Sequence, residues 1–385
     1  MQQRAGMSPA NLGSRERAPS GVVVVHAPGT SSHAHDHETV TRVGIARKLA
    51  ALMRFAFMGE YDRARRYPGR VYFVPSQTLV GVEAANRLGI GGEQDLFGAV
   101  VPYPFVATKA ITHELVEPDA CAPPGWSHLF GQRVGDSVLD GYSAFTPEDA
   151  RRAGARLLER GAAVRVKPVR ACGGRGQQVV SQPVELAAAL EAIAPGELAN
   201  DGVVLEENLA EVTTCSVGQV RVAGHVASYY GTQRLTPDND GLPVYGGSRL
   251  MIARGGYDAL LGLDLPEDAR LAVAQARSYD AAATECFPGL FASRRNYDVA
   301  QGLAWSGRRS GVLEQSWRIG GASGAEVAAL EAFVAEPGLR VVRASTVEVY
   351  GPCQPPQDAT VYFSGVDPAV GPITKYSRIE RDADA

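Results

Sequence analysis

Residues Arg165–Val180 read RVKPVRACGGRGQQVV. Lys167 stands six residues before a glycine-rich turn, Gly173-Gly174-Arg175-Gly176. Glycines near a lysine suggest phosphate, because backbone N–H groups with no side chain in the way can close on phosphate oxygens. In P-loop and dinucleotide-binding proteins such a loop runs straight into a helix. Here QQVV (Gln177–Val180) follows and reads as a strand, as does AVRVK (Ala163–Lys167) before it. A glycine turn between two strands is a hairpin tip, and such a tip can fold over a ligand as a flap. An ordinary hairpin turn with surface charges satisfies the same residues, so the loop alone leaves both readings open.

On either side of this hairpin the pattern is α/β. TPEDARRAGARLLERG (Thr146–Gly161) is a helix with Thr146 to cap it, Pro147 in its first turn, Glu148 and Asp149 at the positive end of its dipole, and Gly161 to stop it. SQPVELAAALEAI, with Pro183 near its start, is a second helix, and GVVLEENL (Gly202–Leu209) is a strand. Upstream, GVVVVHAP (Gly21–Pro28), RVYFVPS (Arg70–Ser76) and FGAVVPYPF (Phe97–Phe105) suit buried strands, while Ile45, Leu49, Leu52, Met53 and Ala56 share a helical face. Residues 21–105 therefore read as a small doubly wound α/β unit, preceded by a disordered tail over 1–20. The stretch 106–145 is loop-rich. From about 212 the pattern turns antiparallel, with a hairpin of CSVGQVRV and VASYYGTQR around AGH. Helices are expected over 266–283 and 323–335. RRNYDVAQGLAW and GVLEQSWR are strands joined by SGRRSG (Ser306–Gly311). Residues 351–385, rich in proline, read as irregular.

Composition narrows the function. The chain has 385 residues, 45% apolar and 21% charged, which is ordinary for a globular protein of two or three domains. A net charge of −4 argues against a dominant polyanion-binding surface. No apolar run is long enough to cross a bilayer, and residues 1–20 have no apolar signal-peptide core. Cys121, Cys172, Cys215, Cys286 and Cys353 are odd in number and form no CxxC pair, which favours a reducing, cytoplasmic setting without structural zinc.

Several side chains carry candidate chemistry. LEENL (Leu205–Leu209) ends a strand where backbone groups and an apolar residue can meet an adenine edge, or it is an edge strand with solvated carboxylates. Asp298 and Glu314 lie on neighbouring strands, and Mg2+ takes one or two carboxylates plus phosphate oxygens. A turn centred on Arg308–Arg309 does not set them opposite, so the loop must be offset or the two meet diagonally; a cross-strand salt bridge is the plainer account. Arg318 lies two pleats beyond Glu314 if the strand continues, where a cation suits a transferring phosphoryl group. HAHDH (His33–His37) invites a metal, although a loop with Asp36 as helix cap explains it. Arg249, in YGGSRLM, which reads as a glycine-rich loop before a strand, is a candidate for an anionic substrate group or an ordinary surface arginine. Cys172 beside the glycines has no histidine partner in sequence to activate it.

The order Lys109, Lys167, GGRG, LEENL, Asp298, Glu314, Arg318 resembles the ATP-grasp superfamily over residues 106–345. LEENL is close to the hinge strand of biotin carboxylase-like members, and VLEQSWRIGG (Val312–Gly321) is similar to the family's E-x-N-x-R strand followed by glycines. The resemblance implies an N-terminal α/β unit (21–105), a flap subdomain (106–210) and a central subdomain (211–350), the last two clamping the nucleotide. It implies ATP and Mg2+ as cofactors. Lys109 and Lys167 would contact phosphates, Gly173, Gly174 and Gly176 would form the flap, and Glu206, Glu207 and Leu209 would bind adenine through side chain, backbone and apolar contact. Asp298 and Glu314 would hold Mg2+, and Arg318 would face the phosphoryl group or substrate. The family's second-metal asparagine falls on Ser316, a shorter and weaker ligand. The implied reaction is ATP-dependent joining of a small-molecule carboxylate to an amine or thiol, with no nucleic-acid or membrane partner and a homodimer as candidate assembly. A nucleotide-binding regulator without efficient turnover, motivated by Ser316, and an ATP-grasp kinase are the alternatives.

Overall fold

A computed structural model describes residues 20–27, 36–161, 163–170 and 176–380. The N-terminal unit comprises β1 (Gly21–His26), α1 (His37–Met53), β2 (Ala56–Glu60), β3 (Arg70–Pro75), β4 (Leu79–Val80), α2 (Val82–Arg87) and β5 (Ala99–Val101). The middle comprises α3 (His128–Val134), β6 (Gly141–Ala144), α4 (Pro147–Glu159), β7 (Val164–Pro168), β8 (Gln178–Val180), α5 (Pro183–Glu191), α6 (Pro195–Asp201) and β9 (Val203–Glu207). Then come β10 (Ala210–Val222), β11 (His225–Pro237), β12 (Pro243–Arg254), α7 (Tyr257–Leu261), α8 (Glu267–Cys286), β13 (Phe291–Ala292), β14 (Arg294–Ala304), β15 (Gly307–Ser316), α9 (Ser323–Ala335), β16 (Val341–Tyr350), β17 (Thr360–Asp367) and β18 (Gly371–Ile379).

The all-apolar run of β1 is buried because both faces of its parallel sheet, order β2-β1-β3, are covered. Two details differ from the sequence reading. The helix expected to reach Ala56 stops at Met53, where Arg54 enters the left-handed region (φ 57) and its N–H caps the last turn; Ala56 then begins β2. The third expected strand does not join this sheet, because β5 bonds to β4 on one side and β13 on the other.

The flap half is a four-stranded sheet, order β6-β9-β7-β8, with the glycine-rich connection joining β7 and β8 as an antiparallel pair. Its helices form as the sequence dictates: the Thr146 hydroxyl accepts the Asp149 N–H at 3.1 Å, with Pro147 opening the helix. Ala150, Ala153, Leu157 and Leu186 from α4 and α5 pack on Val164, Val166, Val203 and Leu205 of the sheet.

The central half is an eight-stranded antiparallel sheet, order β15-β14-β10-β11-β12-β16-β18-β17. Ala223 (φ 51) and Gly224 (φ 81) turn the β10–β11 hairpin, both left-handed as a two-residue turn of this twist requires. One face packs Val217, Tyr297 and Val299 against Tyr279 and Ala283 of α8. The other packs Val220, Ile252 and Ala344 against α9 and α1 through Leu330, Phe333, Ile45 and Leu49. Residues 360–379, expected to be irregular, form the β17–β18 hairpin at one edge; Pro352, Pro355 and Pro356 lie ahead of it and Pro368 in its turn. Among the described residues no helix is long and apolar enough to cross a membrane.

Candidate active site

The flap half brings Lys167 and Glu206 onto one face. Lys167 is paired with Val204 in the β7–β9 ladder, and Glu206 lies two residues on, so both project to the same side. Both are almost fully buried, and Lys167 Nζ bonds Glu206 Oε1. The other oxygen, Oε2, lies 3.1 Å from His113 Nε2. Because the carboxylate only accepts, that ring nitrogen carries a proton. Burial pushes the Glu206 carboxyl up, but Lys167 and then His113 outweigh it and hold it at about 2. A carboxylate held below its unfolded value adds stability above that value and loses it as pH falls. The window here runs from 4.5 down to about 2. Glu206→Gln is expected to flatten the acid limb of a urea-midpoint-against-pH curve over that window. An acid limb as steep as that of the parent protein would count against it.

On the central sheet, Asp298 of β14 and Glu314 of β15 stand directly opposite each other. Two departures from a symmetric hairpin make this so. The turn is Trp305–Ser306, with Arg308 and Arg309 inside β15, and a bulge leaves Leu313 unpaired between Val312 and Glu314. The bulge also lets Leu313 pack beside Leu139, Leu209 and Ala300, with Ala300 on the same face as Asp298. Glu314 Oε2 lies 2.9 Å from Lys109 Nζ, on the 3-10 turn Lys109–Ile111. Asp298 Oδ1 is met by Gln233 Nε2 at 2.8 Å and by the Asn296 amide at 3.0 Å. Burial, then the Glu314 carboxylate, push Asp298 up against the amide donors of Asn296 and Gln233. Two carboxylates side by side, one crowded by the other, are what a divalent cation relieves.

Sequence reasoning missed two residues that assemble this geometry. His113 sits four residues after Lys109, so one short turn carries a cation to the central sheet and a ring to the flap sheet. Gln315 faces away from Glu314 and gives its Nε2 to the carbonyls of Val106 and Thr108 at 2.9 and 2.7 Å, holding the loop that carries Lys109. In sequence, only its place between Glu314 and Ser316 marks it. Gln315→Leu orphans both carbonyls and is expected to cost at least about 2 kcal/mol in urea unfolding. Unchanged stability would show that water replaces the amide.

The remaining candidates divide. Both Glu206 oxygens are engaged within the protein, one by Lys167 and one by His113. The Glu207 side chain accepts from Arg309 Nε at 3.0 Å and the Asp140 N–H at 3.1 Å, tying β9 to the β14–β15 hairpin. Leu209 is buried beside Leu139 and Ala300. Gly176 has φ 70; Gly173 and Gly174 lie outside the described residues, as do Cys172, His33 and His35. Ser316 lies opposite Asn296, its Oγ 3.4 Å from Arg294 Nη1. The strand ends at Ser316, so Arg318 sits in a bend rather than two pleats along, and its Nη1 donates to Ile319 O at 3.0 Å. Arg249 is not in a loop. It lies in β12 opposite Thr232, one residue out of phase with the Gln233–Ser248 pair, and so emerges on the other face, 2.9 Å from Glu380. Of the histidine run, Asp36 caps α1 through Thr39 N at 2.5 Å, and His37 Nδ1 has the Lys375 ammonium 3.3 Å away.

The family model described as "Protein of unknown function (DUF3182)" matches residues 24–377. The chain belongs to that family. No curated protein matches it. Among solved structures, this DUF3182 chain is similar to the biotin carboxylase domain of Hydrogenobacter thermophilus 2-oxoglutarate carboxylase, solved with MgADP, ADP and bicarbonate. That match has 12% identity, a TM-score of 0.54, and covers 94% of this chain and 86% of that one. It is similar to Campylobacter jejuni biotin carboxylase in a βγ-ATP complex, at 11% identity and TM-score 0.50, covering 94% and 87%. It is also similar to Staphylococcus aureus N5-carboxyaminoimidazole synthetase with ADP, at 12% identity and TM-score 0.50, covering 95% of each. The DUF3182 fold is that of the ATP-grasp proteins, as the motif order implied.

Proposed function

We propose that this chain is an ATP-dependent ligase that activates a small-molecule carboxylate as an acyl phosphate and passes it to an amine or thiol, releasing ADP. The observation that carries this reading is the turn 109–113. It joins Lys109, held by Glu314 on the central sheet, to His113, held with Lys167 on Glu206 of the flap sheet. Two buried lysines, one on each sheet's carboxylate, are thus brought to a single turn, and similar folds solved with ADP support a nucleotide beside them.

In this reading Lys109 and Lys167 hold phosphate oxygens, Leu209 and Leu313 give the base an apolar floor, and the Glu207 backbone and residues 173–176 close over it. Arg318 faces the transferring group, and Arg249 is left out. Asp298 and Glu314 fit Mg2+, which when bound neutralises charge on the transferring phosphoryl group. The protein's share is positioning, electrostatic stabilisation and exclusion of water from the acyl phosphate. The acceptor pocket is assigned to the N-terminal unit and the central sheet.

The test is ADP release by purified protein with a library of carboxylates and amines. ADP formed only with both acceptors supports the ligase. ADP with a hydroxyl or phosphate acceptor alone makes it a kinase, and tight ATP binding with no ADP in any mixture makes it a regulator. Asp298→Asn and Glu314→Gln are expected to leave nucleotide binding weaker and insensitive to Mg2+. Retained Mg2+-dependent activity would remove the carboxylate pair from the site.

A further inference from the structure

We propose that Asn296 supplies the amide oxygen for the cation that the sequence pattern assigns to Ser316, so that the neutral ligand has moved to the neighbouring strand. This rests on the cation site proposed at Asp298 and Glu314.

The first observation is register. Asn296 and Asp298 alternate on one face of β14, Glu314 and Ser316 on the same face of β15, and Asn296 is paired directly with Ser316. All four are neighbours, but their surroundings differ. The Arg294 guanidinium donates to Ser316 O at 2.9 Å and stands 3.4 Å from Ser316 Oγ. A hydroxyl beside a fixed cation is a poor place to bring a second cation.

The second is a count of protons. The Tyr229 hydroxyl lies 2.6 Å from Glu326 Oε1 and 2.9 Å from one arm of the Asn296 amide. It has one proton to give. Glu326 is fully buried and ion-paired with Arg294, so the short charge-assisted bond to its carboxylate takes that proton. The phenol oxygen is then an acceptor toward Asn296. Oxygen and nitrogen of an asparagine amide are interchangeable by a half-turn, and hydrogen-bond partners decide between them. As the side chain stands, its nitrogen donates to Asp298 Oδ1 and its oxygen lies on the Tyr229 hydroxyl; the half-turn that gives the Tyr229 oxygen a donor turns the amide oxygen toward Asp298.

The third is spacing. After that half-turn the Asn296 oxygen stands where its nitrogen now lies, 3.0 Å from Asp298 Oδ1. Two oxygens that only accept repel at that distance unless a positive charge sits against both. Adjacent ligands of an octahedral Mg2+ with bonds of about 2.0–2.1 Å stand about 2.9 Å apart. Asn296 is buried, so the amide is held in place rather than free to rotate into solvent.

The test is Mn2+ binding by the full chain with saturating ADP, read from the free-Mn2+ EPR signal, with circular dichroism on each variant. Asn296→Leu is expected to weaken Mn2+ binding about tenfold or more, and Ser316→Ala less than about twofold. Asn296→Asp, of the same shape, is expected to keep or tighten binding; it carries the test if the leucine variant does not fold. Weakened binding in a folded Asn296→Asp variant, or unchanged binding in Asn296→Leu, overturns the proposal. Asp298→Asn separates the two levels. Binding lost there but kept in Asn296→Leu leaves the site standing without Asn296. Binding kept in both, or no Mn2+ bound by the wild type, removes the site and the proposal together.

Discussion

Lys167→Ala is expected to weaken ATP binding by about ten- to a hundredfold, the worth of a charge-assisted hydrogen bond of about 1.5–3 kcal/mol. It is also expected to destabilise the fold. Glu206 is 1% exposed and would keep only His113 as a polar side-chain partner, and breaking a buried ion pair from one side costs about 3–5 kcal/mol. The two effects separate on measurement. Calorimetric titration with ATP reads the first, and urea unfolding without nucleotide the second. Lys167→Met/Glu206→Gln should recover much of the stability, because no unpaired charge remains, and none of the affinity. Wild-type affinity in Lys167→Ala would remove Lys167 from the proposed site whatever the stability did.

Glu326→Leu is expected to cost about 3–5 kcal/mol, as large an effect on stability. Glu326 accepts from Arg294 Nη2 at 2.8 Å and from Tyr229 at 2.6 Å, with neither charged group reaching solvent. Arg294 in turn gives its Nη1 to Ser316 O and Arg318 O where β15 ends. The pair therefore fastens α9 to the strand end from which Arg318 departs. Arg294→Met/Glu326→Leu should be less harmful than the sum of the single variants, since it leaves no uncompensated charge. A double-mutant cycle in thermal unfolding checks this, and additive losses would show that the two charges do not depend on each other.

Much of this was legible in the sequence where local chemistry and tertiary placement agree. The valine run of β1, the Thr146–Pro147 helix start and the strand after the glycines each have a local cause, and the fold uses them unchanged. The carboxylate pair was legible as two residues but not as a register, because the bulge at Leu313 is set by packing and leaves no mark on the strand pattern. Gly246-Gly247 read as a loop and misplaced Arg249. Those glycines lie inside β12, where a Cβ on Gly247 would stand 2.0 Å from Thr346 O, so they permit close strand approach rather than a turn. Prolines hid β17 and β18 in the same way, since they cluster ahead of the hairpin and in its turn and enter its strands only at Pro372, near the start of β18. His113, Asn296 and Gln315 were invisible for a different reason. Their importance lies in what they touch far along the chain, and no spacing rule reports that.

The turn 109–113 bears on how this protein can be taken apart. A fragment ending before β10 would carry Lys109 without Glu314, and a fragment beginning at β10 would expose the face where Lys109 and the Gln315-bonded loop now sit. Each piece would present a buried charge or a row of polar groups to solvent it was not built to meet. The flap and the central sheet are therefore one foldable unit despite being two sheets. Dissection of the proposed site will have to proceed by point substitution in the intact chain, not by expressing the halves.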